Sequence, residues 1–439
     1  MRGTQTINEK GHLVIGGVDT TQLVEKYGTP LYVYDVDLIN QNIQRFKEAF
    51  EPYAVNWQIA YASKAFSTLA MIQLVKEHEL SLDVVSGGEL YTALKAGFPA
   101  SRIHFHGNNK SVEEIQMAIR AGIGAFVVDN FYELAMLEEE AQKEEIVVNV
   151  LLRLTPGVEA HTHAYVTTGQ EDSKFGFTLS NGDVEKAIQL ALNAPHIHLL
   201  GVHSHIGSQI FDAEGFVLAT TRILARFLDW KDTFGYTPKV LNVGGGFGIK
   251  YTEEDDPLPL ESQLRPVLET ILAFCQEHSL QTPEVWIEPG RSIVGEAGTT
   301  LYKLGSSKTI PGVRKYVSVD GGMTDNIRPS LYGAKYEAVI ANRADEPNVE
   351  TVSVAGKCCE SGDMLIWDLP LPTPAAGDVL AVFCTGAYGY SMANNYNRIG
   401  RPAVIFVENE KDYLVVERET YEDLIKKDLL MPEMVKQRS

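Results

Sequence analysis

Short apolar runs alternate with longer stretches of helical period from about residue 55 to residue 290. Eight runs, at residues 55–62, 81–85, 103–106, 125–129, 147–154, 198–205, 240–243 and 284–287, have the length and composition of buried strands. The segments between them, 68–78, 89–96, 112–121, 131–143, 184–192, 216–231 and 263–278, carry apolar residues at helical spacing. Several open on capping residues or close on glycine, as at Ser111 with Glu114 three positions on, and at Gly97 and Gly122. Strand-helix units repeated in this way predict an α/β fold, a (β/α)8 TIM-type barrel, with a doubly wound open sheet as the alternative on pattern alone.

After about Gly298 the texture changes to short alternating or β-branched runs, 315–320, 350–355, 378–384 and 403–408, separated by glycine and proline turns. That predicts a second, mostly β domain. Leu13-Val14-Ile15 and Leu31-Tyr32-Val33-Tyr34 alternate in the same manner and are assigned to it. The expected division is a barrel over 36–297 and a β-rich domain from 1–35 and 298–439.

Composition narrows the classes of function. With 439 residues, 44% apolar and 22% charged, the chain has the make-up of a soluble enzyme with a large core. Its 38 basic and 58 acidic side chains leave a formal charge of −20, which repels nucleic acid and anionic membrane surfaces. The acidic stretch 133–145 reads as a solvated helix face. No run has the length of a membrane span, and Met1-Arg2-Gly3-Thr4-Gln5 lacks the apolar stretch of a secretory signal, so a cytoplasmic location is expected. The four cysteines show no Cys-x-x-Cys spacing, which argues against a zinc ribbon and suits a reducing compartment.

In a barrel every strand ends on one face, so strand ends far apart in sequence converge. Lys64 closes the run Ile59-Ala60-Tyr61-Ala62-Ser63-Lys64, and Asp83 lies in the next. Farther on come His205-Ile206-Gly207-Ser208, Gly244-Gly245-Gly246-Phe247-Gly248 and Glu288-Pro289-Gly290-Arg291. Each part has a plain alternative: a surface lysine, a tight turn, a salt bridge. Together they supply an amine, a flat imidazole, a glycine nest for phosphate after strand seven and an acid–arginine pair, which is what holding pyridoxal phosphate on a lysine requires. Such a lysine works best partly desolvated, and Tyr61 and Phe66 suggest that setting. The pairs His104/His106, His161/His163 and His203/His205 place imidazoles on one face of an extended chain, but without a cysteine or carboxylate-rich ligand set no metal is expected.

Taken with Gly28-Thr29-Pro30-Leu31-Tyr32, Cys359-Glu360-Ser361-Gly362-Asp363 and Ala393-Asn394-Asn395-Tyr396-Asn397, these motifs resemble the fold-type-III, alanine-racemase-like pyridoxal-phosphate decarboxylases, and among them the diaminopimelate decarboxylases, along almost the whole chain. His161-Thr162-His163 and the stretch 168–177 also look like that family rather than its ornithine or arginine relatives. The resemblance implies that Lys64 holds the cofactor aldehyde, Asp83 lies near it, His205 stacks on the ring and Glu288 meets the ring nitrogen. Ser208, Gly245, Gly246, Gly290, Arg291 and Tyr388 are implied as cofactor contacts. Arg291, Arg328, Tyr332 and Tyr388 are implied around the substrate, the two arginines and Tyr332 on its distal carboxylate. It further implies a homodimer in which Cys359, reaching in from the other subunit, protonates the carbanion while Glu360 meets the distal amine; Cys358 reads as an inert buried thiol. Phe66 departs from the pattern, standing where many relatives carry Asn.

The implied reaction removes the carboxylate at the D-centre of meso-2,6-diaminoheptanedioate, giving L-lysine and carbon dioxide, the last step of lysine biosynthesis. A sibling decarboxylase acting on ornithine, arginine or carboxynorspermidine keeps the same cofactor chemistry. A pyridoxal-phosphate carrier without catalysis is the binding-module alternative, though it gives no task to Cys359, Glu360 and Tyr388.

Overall fold

The computed structural model describes residues 1–158, 170 and 172–431. His161, Thr162, His163, Thr168, Gly169 and Glu171 lie outside them, as does most of the loop 167–173. Among the described residues no helix is long and apolar enough to cross a membrane.

Eight parallel strands close into a ring: Trp57–Ala62, Ser81–Val84, Ile103–Phe105, Ala125–Val128, Val148–Thr155, Ile197–Ser204, Val240–Asn242 and Glu284–Ile287. Strands adjacent in sequence are adjacent in space, and the eighth pairs back onto the first with Ile287 opposite Ile59. Closure excludes the open sheet. Helices return along the outside with the expected signals: Ser111 and Glu114 form a reciprocal capping box at the start of Val112–Ala121, and Gly122 ends that helix in the left-handed region.

Two helices begin earlier than their apolar spacing suggests, at Glu214 and Leu260. In the second, the first turn after Pro259 is mostly exposed, so its apolar period starts only near Gln263. A further helix, Val36–Phe50, precedes the barrel and was not singled out from the sequence. Asp35 caps it by accepting from the Leu38 amide at 3.1 Å, and Ile39, Ile43, Phe46 and Phe50 form its buried face.

The second domain is mostly β. Its main sheet runs in the order Met364–Leu371, Glu350–Ala355, Arg314–Val319, Gly298–Ile310, Leu31–Asp35, Ala403–Glu408, Lys411–Val416. The amino-terminal strand Leu31–Asp35 is central to that order, antiparallel to Gly298–Ile310 and parallel to Ala403–Glu408. Leu13–Ile15 lies outside this main sheet. It pairs with Thr6–Ile7 and Val18–Asp19 in a separate three-stranded sheet, because Gly16 and Gly17 (φ 59° and 78°) turn the chain straight back. Leu13 and Ile15 still pack into one core with Leu31, Val33, Leu301 and Val407.

Candidate active site

The first barrel strand passes into a single turn of 3-10 helix, Ser63–Ala65, which swings Lys64 out of the apolar wall while Tyr61 and Phe66 stay buried. Phe66 stacks on Tyr34 with ring centroids 4.2 Å apart, so this position packs the barrel against the second domain rather than offering a polar contact. Lys64 is exposed, contrary to the partly desolvated setting expected. The turn presents it at the junction of two connected cavities.

The inner cavity, about 250 Å³, lies at the carboxyl ends of the strands. Its wall includes Lys64, Asp83, His205, Ser208, Gly246, Glu288, Gly290, Arg291 and Tyr388, so nine side chains or glycines chosen from sequence meet at one place. Gly245 supports it from behind. A Cβ there would lie 2.0 Å from the Glu288 carbonyl oxygen, and one on Gly246, whose φ is 107°, 2.2 Å from that of Gly207. The three strand-end loops can approach this closely only without side chains. Tyr388 arrives from the second domain, its amide donating to the Ala65 carbonyl at 2.9 Å.

Glu288 is buried, and its surroundings decide its charge. His106 Nε2 lies 2.8 Å from Oε1, Asn242 donates to Oε1 at 2.7 Å, and His203 Nε2 lies 3.0 Å from Oε2. Burial opposes ionisation, yet the two imidazoles outweigh it and hold the carboxyl well below the usual range. A carboxylate has about four acceptor positions, so Glu288 keeps capacity for a further donor. Burial raises Asp83 to about 6, with His106 opposing and Glu288 adding to the rise. Burial, together with the charges of Lys64 and Arg153, depresses His205 well below the usual histidine value, so its ring is neutral near pH 7.

His106, His203 and Glu288 converge within 4.8 Å, close enough for a metal's ligand set. His203 Nε2 is hydrogen-bonded to Glu288, whereas His106 Nε2 lies 2.8 Å from it without a hydrogen-bond partner among the described residues. His104 stacks on Trp286 at 4.2 Å, and burial lowers its pKa to about 3.

The outer cavity, about 770 Å³, shares Lys64, His205, Ser208, Arg291 and Tyr388 with the inner one and adds Tyr251, Arg328 and Tyr332. Arg291 and Arg328 are 7% and 8% exposed. Arg291 donates to Ser208 Oγ at 2.9 Å and to the Tyr251 hydroxyl, and its guanidinium lies 4.9 Å from the Tyr388 ring centroid. Arg328 donates to the hydroxyls of Tyr251 and Tyr336, each at 2.8 Å. Among the described residues neither arginine has a carboxylate partner.

Cys359 and Glu360 are not brought to this site within the chain. They are exposed in the turn between Glu350–Ala355 and Met364–Leu371 and line neither cavity. The turn is nevertheless ordered: buried Asp363 accepts from the amides of Met323 and Cys358 at 2.6 and 2.8 Å, and Asn397 accepts from the Cys359 amide at 2.7 Å. Cys358 is buried beside Asp363, and burial pushes its thiol up to about 11.

Sequence reasoning missed Arg153, Asn242 and Tyr251. Arg153 sits in the fifth barrel strand and lines the inner cavity 3.8 Å from Asp129; a lone arginine inside an apolar run was the available signal. Nothing in the local sequence marks Tyr251.

These residues fit pyridoxal phosphate. The glycine walls leave room for a phosphate, Glu288 retains acceptor capacity, and Asp83 Oδ1 and Arg291 Nε are buried without a hydrogen-bond partner among the described residues. Comparison with known proteins agrees. The family model described as "Pyridoxal-dependent decarboxylase, pyridoxal binding domain" matches residues 36–295. Diaminopimelate decarboxylase of Bacillus subtilis (strain 168) is 62% identical over 437 residues, covering 100% of both chains. That of Bacillus methanolicus is 63% identical over 416 residues, covering 95% of this chain and 96% of the relative. The crystal structure of diaminopimelate decarboxylase from M. jannaschii in complex with L-lysine superposes with a TM-score of 0.92 at 38% identity, covering 98% of each chain. The chain therefore belongs to the diaminopimelate decarboxylase family of pyridoxal-dependent decarboxylases.

Proposed function

We propose that this protein decarboxylates meso-2,6-diaminoheptanedioate at its D-centre to L-lysine and carbon dioxide, using pyridoxal phosphate, in the cytoplasm. The observation that carries the reading is the pair of buried guanidiniums, Arg291 and Arg328, without a carboxylate partner among the described residues, in the wall of the cavity that Lys64 enters. Buried charge of this kind is costly unless something neutralises it. A substrate with a second carboxylate does so, and ornithine or arginine does not.

Pyridoxal phosphate, when bound, contributes an aldehyde for amine exchange and a ring that withdraws the electron pair left by a departing carboxylate. Lys64 would hold that aldehyde through its amine, in reach of the outer cavity where a substrate amine would enter. Glu288, kept ionised by His106 and His203, holds a proton at the ring nitrogen. His205, neutral through burial, lays a flat face against the ring without adding charge beside it. Ser208, Gly245, Gly246, Gly290 and Tyr388 hold the phosphate end, with Asp83 near the ring. Arg291, Arg328 and Tyr332 bind the distal carboxylate and so fix which centre faces Lys64.

Cys359 of the partner subunit returns the proton to Cα, and Glu360 of the partner subunit meets the distal amine. The exposure of both residues, on an ordered turn outside their own chain's cavities, supports a homodimer with shared sites. In this reading residues 36–297 form the cofactor-binding barrel, and 1–35 with 298–439 form the domain that supplies Cys359, Glu360 and Tyr388. Measuring lysine or amine release from a panel of the diacid, ornithine, arginine and carboxynorspermidine tests the assignment. Turnover of the diacid alone is expected; faster turnover of any other member overturns it.

A further inference from the structure

We propose that Tyr251 is a specificity-determining residue, whose hydroxyl aligns Arg291 and Arg328 and donates a hydrogen bond to the substrate's distal carboxylate. The inference rests on the diacid reading above and deepens it. Tyr251 is 6% exposed and lines the outer cavity. Its oxygen accepts from Arg291 and, at 2.8 Å, from Arg328.

A guanidinium can only donate, so both of these bonds use lone pairs of the phenol oxygen and its O–H must point to a third partner. Among the described residues no group accepts that proton. Three donors on adjoining atoms, two of them cationic, define the site of a single anion. The remaining contacts fix the tyrosine rather than compete for it. Its carbonyl accepts from Arg2 Nη2 at 3.0 Å, its amide donates to Asp255 Oδ2 at 2.9 Å, and its ring meets that of Tyr336 edge-on at 5.5 Å. Both guanidiniums also lie over its face, 5.6 and 5.0 Å from the centroid.

The test compares two competitive inhibitors of the holoenzyme. L-lysine keeps the distal carboxylate, whereas 1,5-diaminopentane has the same chain and amines without it. In Tyr251→Phe the inhibition constant of L-lysine should rise about tenfold, the loss of one hydrogen bond to a charged group, while that of 1,5-diaminopentane stays within about twofold. Equal changes in both constants, or none, overturn the proposal.

Should Phe at this buried position cost cofactor binding, read from the visible absorbance, Tyr251→Gln keeps an acceptor for the arginines and a donor for the carboxylate. It should raise the L-lysine constant alone, by less than about tenfold; a shift in both constants again overturns the role. If the wild-type protein forms no lysine from the diacid, the functional reading fails. If it does and the two inhibitors respond alike, only Tyr251's role fails.

Discussion

Lys64 belongs to both cavities, so its replacement acts on cofactor and substrate together. Lys64→Ala should lose the visible absorbance of the lysine-held cofactor and at least about a thousandfold in lysine formation, as removal of a covalent participant does; a variant that still decarboxylates near the wild-type rate removes Lys64 from the mechanism. Cys359 is proposed to act later. Cys359→Ala should keep the absorbance but lower kcat about a hundredfold, the scale of a lost proton donor, and near-normal turnover assigns that proton elsewhere. Residues at strand ends could be picked from the sequence because type and position coincide there: an amine, an imidazole, a glycine run and an acid each follow an apolar run. Tyr251 could not. It lies in a loop, and its carbonyl and hydroxyl are held by Arg2, Arg291 and Arg328, which come from three distant parts of the chain.

The turn that leads from Arg314–Val319 to the short helix Arg328–Tyr332 shows how an element can be set by one buried acid. Asp325 accepts from the Gly322 amide at 2.9 Å, from Thr324 Oγ1 at 3.2 Å and from the Tyr302 hydroxyl. Burial nonetheless raises it from the usual 3.8 to about 7. The folded state therefore binds this proton more tightly than the unfolded chain, and Asp325's contribution to stability is present below about pH 4 and declines as pH rises toward about 7. Asp325→Asn should flatten the fall of stability across that window in denaturant titrations; an unchanged slope removes Asp325 as its source. The barrel elements were legible because each strand is a short apolar run between helical periods. Val36–Phe50 was missed because it follows directly on the strand Leu31–Asp35 without a glycine or proline break; Leu13–Ile15 was legible as a strand, but alternation does not say which strand is its partner.

At the scale of the molecule, one chain carries Lys64, Arg291 and Arg328 in the walls of its cavities, while its own Cys359 and Glu360 line neither. Mixing the strongly impaired Lys64→Ala and Cys359→Ala proteins under conditions that exchange subunits should therefore raise activity to about a quarter of wild type if pairing is random. No recovery, with exchange demonstrated, places the proton donor within the chain. The choice of centre fixes the handedness of the product, because the reacting carbon becomes an achiral methylene and the other centre is left untouched. The most direct measurement is turnover of meso-2,6-diaminoheptanedioate carrying ¹³C in the D-centre carboxylate, with gas and amino acid collected and the lysine resolved by chirality. Labelled carbon dioxide and L-lysine in equal amounts are expected; unlabelled carbon dioxide, D-lysine or no lysine contradicts the account.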